Sequence, residues 1–340
     1  MNSAAVCLFS TQHTSFEPWY RQTEGGTGLC GGVRFLLNED AGAEAEWLAV
    51  FDYPPAPIET QVPRERRILI ITEPPEVKPY PPGYVRQFGV ILSPFHLPGA
   101  RSGSVRIEGA CLNWHYGASV VSGGFQSALQ SLEAINDLPI PVKSKKLSVI
   151  CSDKTYTQAQ RDRIAFVEKL VRRFGSSVDV FGRGRRFIED KAEAIAEYKY
   201  HIVLENNHIA NFWTEKLSDA YIGYSLPLYS GAPNIEASLP DPGGLIRLPL
   251  HDHEASFTII ADLLDTDPYE ARLPAIARCR EWCLKETNVF ERVARIIKET
   301  TAASPQGKLL HRPERIMPPN RWETAIMRRM YRYGILTYPR

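Results

Sequence analysis

Short apolar runs separated by polar loops fill the first half of the chain. Ala4–Phe9, Val33–Leu37, Trp47–Phe51, Arg67–Ile71 and Phe88–Leu92 are each brief and largely apolar, the pattern of strands buried on both faces of a parallel sheet. Ala128–Ile135 reads as a helix. In the second half Leu147–Cys151 predicts a strand, and Ile164, Val167, Leu170, Val171 and Phe174 follow at the spacing of one helix face. Strands are then predicted at Val178–Phe181, Tyr200–Leu204, Leu226–Tyr229 and Leu245–Leu248. Helices are predicted at Lys191–Tyr198, Thr214–Gly223, Phe257–Leu264 and Tyr269–Ile297. Such alternation implies an α/β fold with a parallel sheet covered on both faces.

Asp137–Lys146 (DLPIPVKSKK) carries two prolines and a run of lysines, a composition that does not enter a core. It is the expected linker between a first domain at residues 1–140 and a second at 146–300, with 301–340 as a tail. The 340 residues suit two domains. Open α/β sheets bind ligands beyond the carboxyl ends of their strands, so a cleft between two such halves is the expected site.

Hydrophobic residues make up 44% and charged residues 23% of the chain, which excludes a disordered, collagen-like or coiled-coil protein. Forty basic against thirty-nine acidic residues argue against a nucleic-acid partner for the chain as a whole. No apolar run approaches the roughly 18 residues that span a bilayer. Met1–Ser10 lacks the pattern of a signal peptide. The six cysteines, Cys7, Cys30, Cys111, Cys151, Cys279 and Cys283, show no paired zinc spacing. Cys279 and Cys283 share a helix face and read as buried small hydrophobes. A reducing cytoplasm is the expected compartment.

The segment with most chemistry is Tyr198–Pro240. A buried strand delivers Glu205 and Asn206 to the carboxyl edge of the sheet. Thr214 then reads as a helix N-cap, with Glu215 and Lys216 in the first turn. A lysine there opposes the helix dipole, and an anionic ligand such as a phosphate would remove the conflict. A solvated surface lysine is the alternative.

These residues resemble the donor-binding motif of glycosyltransferase family 10, the α-1,3/4-fucosyltransferases. The matching positions are Tyr198, Lys199, Tyr200, Glu205, Asn206, Thr214, Glu215, Lys216 and Gly231. The spacing from Glu205 to Lys216 is similar to that of bacterial members. Upstream, Val178–Gly184 (VDVFGRG) resembles the family's VDVYGR strand end, and Arg163 opens a stretch similar to its phosphate-binding helix. The resemblance covers roughly Lys146–Leu248 and is weak over the first 140 residues.

The resemblance implies a GT-B architecture, two Rossmann-like domains facing a central cleft, and an inverting transfer of L-fucose from GDP-fucose onto a glycan hydroxyl. Arg163 and Lys216 would grip the diphosphate, whose charge grows as it departs. Glu215 would hold the ribose, Asn206 with the Gly182–Arg183 turn the nucleoside side, and Phe212 the sugar; Glu205 belongs to the same donor set. Family members carry a glutamate base in GEN-x-x-P after a first-domain strand. Here Thr72-Glu73-Pro74-Pro75 follows such a strand, so Glu73 would remove the acceptor proton. Thr72 replaces the motif's glycine and Pro74 its asparagine. Asp52 is the other candidate base.

Trp114, His115 and Tyr116 form an aromatic cluster suited to an acceptor sugar, or to core packing. Asp265-Thr266-Asp267 imitates a DxD metal motif but precedes Pro268 as a turn does. His251 and His253 lack a third ligand at metal spacing. No obligatory cofactor or metal is therefore expected beyond the nucleotide sugar. Arg321–Arg340 interleaves five arginines with Trp322, Ile326, Met327, Met330, Tyr331, Tyr333, Ile335 and Leu336. It is suited to a peripheral contact with an anionic membrane, such as an inner membrane, or to packing over the first domain. A nucleotide-sugar-binding GT-B protein without turnover, or a transferase of another nucleotide-linked sugar, is the alternative function.

Overall fold

The computed structural model describes residues 4–13, 16–39, 44–109, 113–121, 124–155, 157–303 and 309–337. The chain divides into two units, residues 1–112 with 287–340, and residues 113–286. The first opens with β1 (Ala5–Ser10), α1 (Glu17–Tyr20), β2 (Leu29–Cys30), β3 (Val33–Leu37), β4 (Trp47–Phe51), β5 (Ile58–Thr60), β6 (Arg67–Ile70), α2 (Pro82–Val85), β7 (Val90–Ser93) and β8 (Val105–Ile107). Its main sheet runs β2-β3-β1-β4-β6-β7-β8. Every pairing is parallel except β2 with β3. All five residues of β4 are buried, as its unbroken apolar run predicts.

The second unit holds β9 (Ala118–Val121), β10 (Gly124–Ala128), α3 (Leu132–Asn136), β11 (Lys145–Ile150), α4 (Gln158–Phe174), β12 (Val178–Phe181), α5 (Ala192–Ile195), β13 (Tyr198–Leu204), α6 (Glu215–Ile222), β14 (Leu226–Ser230), β15 (Ile246–Arg247), α7 (His253–Thr266) and α8 (Tyr269–Lys285). Its five-stranded sheet is parallel throughout, in the order β12-β11-β13-β14-β15. The chain moves outward from β11 to β12 and then returns past β11 to β13. The strand order therefore reverses at the β11/β13 boundary, the switch point at which open α/β sheets form a ligand crevice. Leu147, Val149, Tyr200, Ile202, Leu226 and Leu228 make the central core with Phe166, Val167 and Leu170 of α4.

Three expected boundaries move. Trp114, Tyr116 and Ile135 pack with Ile195, Ile222 and Leu284, so 113–140 belongs to the second unit's core and not to the first domain. The expected helix at Ala128–Ile135 is shorter, because Gly124–Ala128 pairs as a strand with β9 and Ser131 caps α3. The expected helix Tyr269–Ile297 is broken between α8 and α9 (Val289–Ala303). At the break Asn288 accepts the amide of Phe290 at 2.9 Å and donates to the Gln22 carbonyl at 2.8 Å. Phe290 then packs against Phe9 and Phe35, which returns the chain to the first unit.

The tail packs over that unit. β16 (Glu314–Ile316) pairs antiparallel with β5, and Arg67 meets Glu314 at 2.6 Å. Arg328 of α10 (Arg321–Arg332) donates to the Val77 carbonyl. No described helix is long and apolar enough to cross a membrane.

Candidate active site

Helix α4 begins at Thr157 with a capping box. The threonine accepts the Gln160 amide while the Gln160 side chain accepts the Thr157 amide. From there Gln160, Arg163, Phe166, Val167 and Leu170 form the buried stripe. Arg163 thus occupies a core-facing position. It is 4% exposed and donates to the Leu204 carbonyl at 3.2 Å, at the carboxyl end of β13. Its Nε is buried without a hydrogen-bond partner, an arrangement that an anion would complete. Burial presses its pKa downward, while Cys151, Glu205 and Glu215 oppose the shift.

Helix α6 starts from a second built junction. The side chain of Glu205 is fully buried; it accepts the Thr214 amide at 2.7 Å and the Thr214 hydroxyl at 2.7 Å. Lys216 Nζ lies 2.8 Å from Thr214 Oγ1 and 3.4 Å from both Glu205 and Glu215. Gly231 is required behind this carboxylate, since a Cβ there would stand 2.6 Å from Glu205 Cγ. Gly182, with φ of 121°, ends β12 where a Cβ would meet the Cys151 carbonyl at 2.6 Å.

A cavity of about 570 Å³ opens at the β11/β13 switch point, entirely within the second unit. Arg163, Gly182, Arg183, Glu215 and Lys216 line it, as the sequence reading placed them together. Lys154, Phe187, Glu189, Lys191, His201 and Asp219 also line it and were not anticipated. Five cations face three carboxylates on this wall, which favours an anionic ligand. Lys191 contacts Asp219 at 2.6 Å and Glu215 at 3.3 Å. Burial disfavours its charge, but the two carboxylates outweigh this and hold its pKa above the ordinary lysine value. Burial likewise presses the Glu215 carboxyl upward, and Lys216, Lys191 and His115 reverse the effect, leaving its pKa well below 4.5. One signal in the sequence marked Lys191: like Lys216, it stands at a helix start, against the dipole.

Several expected residues lie elsewhere. Glu205 is not on the cavity wall; it stands behind α6 and holds Thr214 and Lys216. Asn206 and the buried Phe212 are also absent from the wall. The Asn206 Oδ1 is buried with no hydrogen-bond partner. Trp114 and Tyr116, expected at an acceptor sugar, are 1% and 2% exposed and belong to a core cluster. The His115 and Tyr116 amides donate to Asp219 at 2.7 and 3.0 Å. The aromatic content of this segment therefore serves packing.

Asp267 caps α7 in a left-handed conformation and accepts from Lys199 and Tyr200, both at 2.6 Å. It is a helix terminus, as expected of a turn, and ties the motif's YKY strand to α7. His253 packs against Phe166 and Phe257. Among the described residues no group of three or more His, Cys, Asp or Glu side chains could hold a metal ion. Cys7, Cys30, Cys151, Cys279 and Cys283 are buried free thiols; Cys111 lies outside the described residues.

In the first unit Glu73 follows β6, half-buried, in the loop after the sheet's carboxyl edge. Asp52 follows β4 with φ of 58° and is 2% exposed. Its Oδ1 accepts from the Thr72 amide at 2.9 Å and the Tyr80 hydroxyl at 2.5 Å. Its Oδ2 accepts from the Thr72 hydroxyl at 2.6 Å and Lys78 at 2.9 Å.

Residues 140–246 match the family model "Glycosyltransferase family 10 (fucosyltransferase) C-term". This segment is similar to glycosyltransferase family 10. The chain is 33% identical over 48 residues to the "Alpha-(1,3)-fucosyltransferase FucT" of Helicobacter pylori, covering 14% of the chain and 10% of that protein. It is 26% identical over 145 residues to a "Putative fucosyltransferase-like protein" of Arabidopsis thaliana, covering 42% of the chain and 26% of that relative. The matched segments thus span a small part of these relatives' lengths. The fold is similar to that of an α1,3-fucosyltransferase solved with GDP, with TM-score 0.52 at 14% identity over 88% of this chain and 90% of that one. A second α1,3-fucosyltransferase structure gives TM-score 0.50 at 16% identity over 81% and 82%. With these likenesses the two open parallel sheets are of the GT-B type.

Proposed function

We propose that the chain is an inverting glycosyltransferase that moves L-fucose from GDP-fucose to a hydroxyl of a glycan acceptor. The observation that carries this reading is the unpartnered Arg163 Nε in a cavity that also holds Lys216 and Glu215 at the start of α6. Arg163 and Lys216 grip the diphosphate and stabilise the charge it gains on departure. Glu215 accepts from the ribose, and the Gly182–Arg183 turn supports the nucleoside. The relatives' being fucosyltransferases by name, and the GDP in one similar structure, support fucose and guanosine diphosphate as the donor's parts.

Inversion needs one base on the face opposite the leaving group. Glu73 is the proposed base. The four donors already on Asp52 favour this choice, since Asp52 would have to break them to take a proton. The reaction proceeds without a metal, the lining cations and the amino end of α6 supplying the positive charge.

The test is a melting panel of nucleotide diphosphates with an assay of GDP release from GDP-fucose. GDP is expected to raise the melting temperature most among the diphosphates. Release without acceptor is expected to be slow and indifferent to chelator. Binding with no turnover under any acceptor would favour the reading as an inactive nucleotide-sugar-binding protein. Activity that vanished with chelator and returned with manganese would overturn the metal-free mechanism.

The exposed face of α10 and its exit supports a peripheral membrane contact. Trp322 is 80%, Tyr333 67% and Ile335 68% exposed, beside exposed Arg321, Arg329 and Arg332.

A further inference from the structure

Five side chains of alternating charge run along the wall of the cavity and into the fold behind it: Asp219, Lys191, Glu215, Lys216 and Glu205. The successive contacts are 2.6, 3.3, 3.4 and 3.4 Å. Both ends are anchored in the fold. Asp219 is fully buried and its Oδ1 takes the amides of His115 and Tyr116, while Glu205 takes the amide and hydroxyl of Thr214. Only the middle member, Glu215, is a carboxylate on the cavity wall that both lysines flank.

The two lysines approach the same atom of Glu215. Oε1 is the nearer oxygen to both Lys191 and Lys216 and the one that accepts from Lys191. A carboxylate held in this way cannot swing, and its second oxygen keeps its lone pairs for a ligand in the cavity. An ionised acceptor that makes no bond of its own favours ligands bearing hydroxyl donors, because a charge-assisted hydrogen bond is about twice as strong as a neutral one. A vicinal diol suits it best, since one oxygen can accept from both hydroxyls.

We propose that Lys191, braced by Asp219, is a positioning residue that fixes Glu215 as a selector for the ribose hydroxyls of the bound nucleotide, so that the site discriminates ribonucleotides from 2′-deoxyribonucleotides. The inference rests on the donor reading above, in which Glu215 meets the ribose. It adds to that reading the residue responsible for the orientation, which no local motif around Glu215 supplies. Lys191 lies 24 residues upstream of Glu215 and reaches it only through the packing of α5 beside α6.

The experiment compares binding of GDP and 2′-deoxy-GDP by calorimetry. The wild-type chain is expected to prefer GDP by about tenfold or more, the size of one lost hydrogen bond to a charged group. The variant Lys191→Met with Asp219→Asn removes the brace without stranding a buried charge, since the new amide oxygen still accepts from the two backbone amides. It is expected to bind 2′-deoxy-GDP as the wild type does and GDP no better, so that the ratio falls to near one. Lys191→Arg keeps the cation and should keep the preference. Should the double variant fail to fold, Lys191→Gln with Asp219→Asn is read in the same way.

A wild-type ratio in the double variant, or equal weakening of both nucleotides, would overturn the proposal, because Lys191 would then act only on the diphosphate charge. A wild-type chain that binds GDP and 2′-deoxy-GDP equally removes the ribose contact and leaves the diphosphate assignment standing. A chain that binds neither removes the donor site, and this inference with it.

Discussion

Arg163 is placed on a helix stripe where an apolar side chain would ordinarily stand, and this placement carries a direct consequence for rate. If Arg163 and Lys216 meet the departing diphosphate, Arg163→Ala and Lys216→Ala should each lower turnover by about a hundredfold or more, the usual cost of one lost electrostatic stabiliser. Steady-state GDP release measures this, and near-normal rates in either variant would remove the assignment. Glu73→Gln belongs to a different class. It replaces the carboxylate by an amide of equal size, so the chain should fold and bind GDP unchanged while turnover falls by about 10²–10⁴. The loss should appear in kcat and not in donor affinity. Wild-type turnover in this variant would move the base elsewhere.

Helix α4 links a sequence signal to the placing of Arg163. Its Thr157–Gln160 capping box sets where the first turn begins, and Arg163 follows in the second turn. Thr157→Ala should cost about 1 kcal/mol in chemical denaturation and should also weaken GDP binding, because the turn that carries Arg163 frays. Helix α10 presents a buried face and an exposed one. Thr324 and Tyr331 are buried on the first unit, whereas Trp322 and Ile326 are exposed. Sedimentation with vesicles containing phosphatidylserine should retain the protein, weaken with salt, and fall when Trp322 and Ile326 become Ala, leaving the melting temperature unchanged. Equal recovery from neutral vesicles would count against an electrostatic contact.

Over the whole molecule, buried neutral histidines set the acid limb of stability. Burial, reinforced by Lys191 and Lys143, lowers His201 from 6.5 to about 3, and burial with Lys191 lowers His115 to about 4. The unfolded chain takes up these protons first. The contribution is therefore fully present above pH 6.5 and is lost as pH falls from there toward the folded values. His201 should steepen the stability curve by up to about 1.4 kcal/mol per pH unit in that window. His201→Asn should flatten the dependence of the melting temperature between pH 6.5 and 4. An unchanged slope would mean that His201 is protonated in the folded state. The depressed carboxyl of Glu215 acts at lower pH, its contribution present above 4.5 and lost as pH falls further.

What the sequence alone determined is local. The strands β3, β4 and β12 coincide with the predicted runs, β4 because a strand buried on both faces is apolar throughout, and β3 and β12 even though they carry Arg34 and Asp179. Thr214 announced the start of α6, because a capping side chain is needed at a helix end. The approach of Arg163, Gly182, Glu215 and Lys216 to one cavity was legible through motif order along a single α/β unit. The tertiary structure decided whatever depends on residues distant in the chain. It placed Lys191 and Asp219 beside Glu215, gave Trp114 and Tyr116 to the core, and turned Glu205 inward beneath Thr214. It also divided Tyr269–Ile297 at Asn288 and sent α9 and the tail back to the first unit. Periodicity reports which face of an element is apolar and is silent on what that face meets. The choice of partner is made by packing between segments that local pattern does not connect, from 24 residues apart for Lys191 and Glu215 to 266 for Gln22 and Asn288.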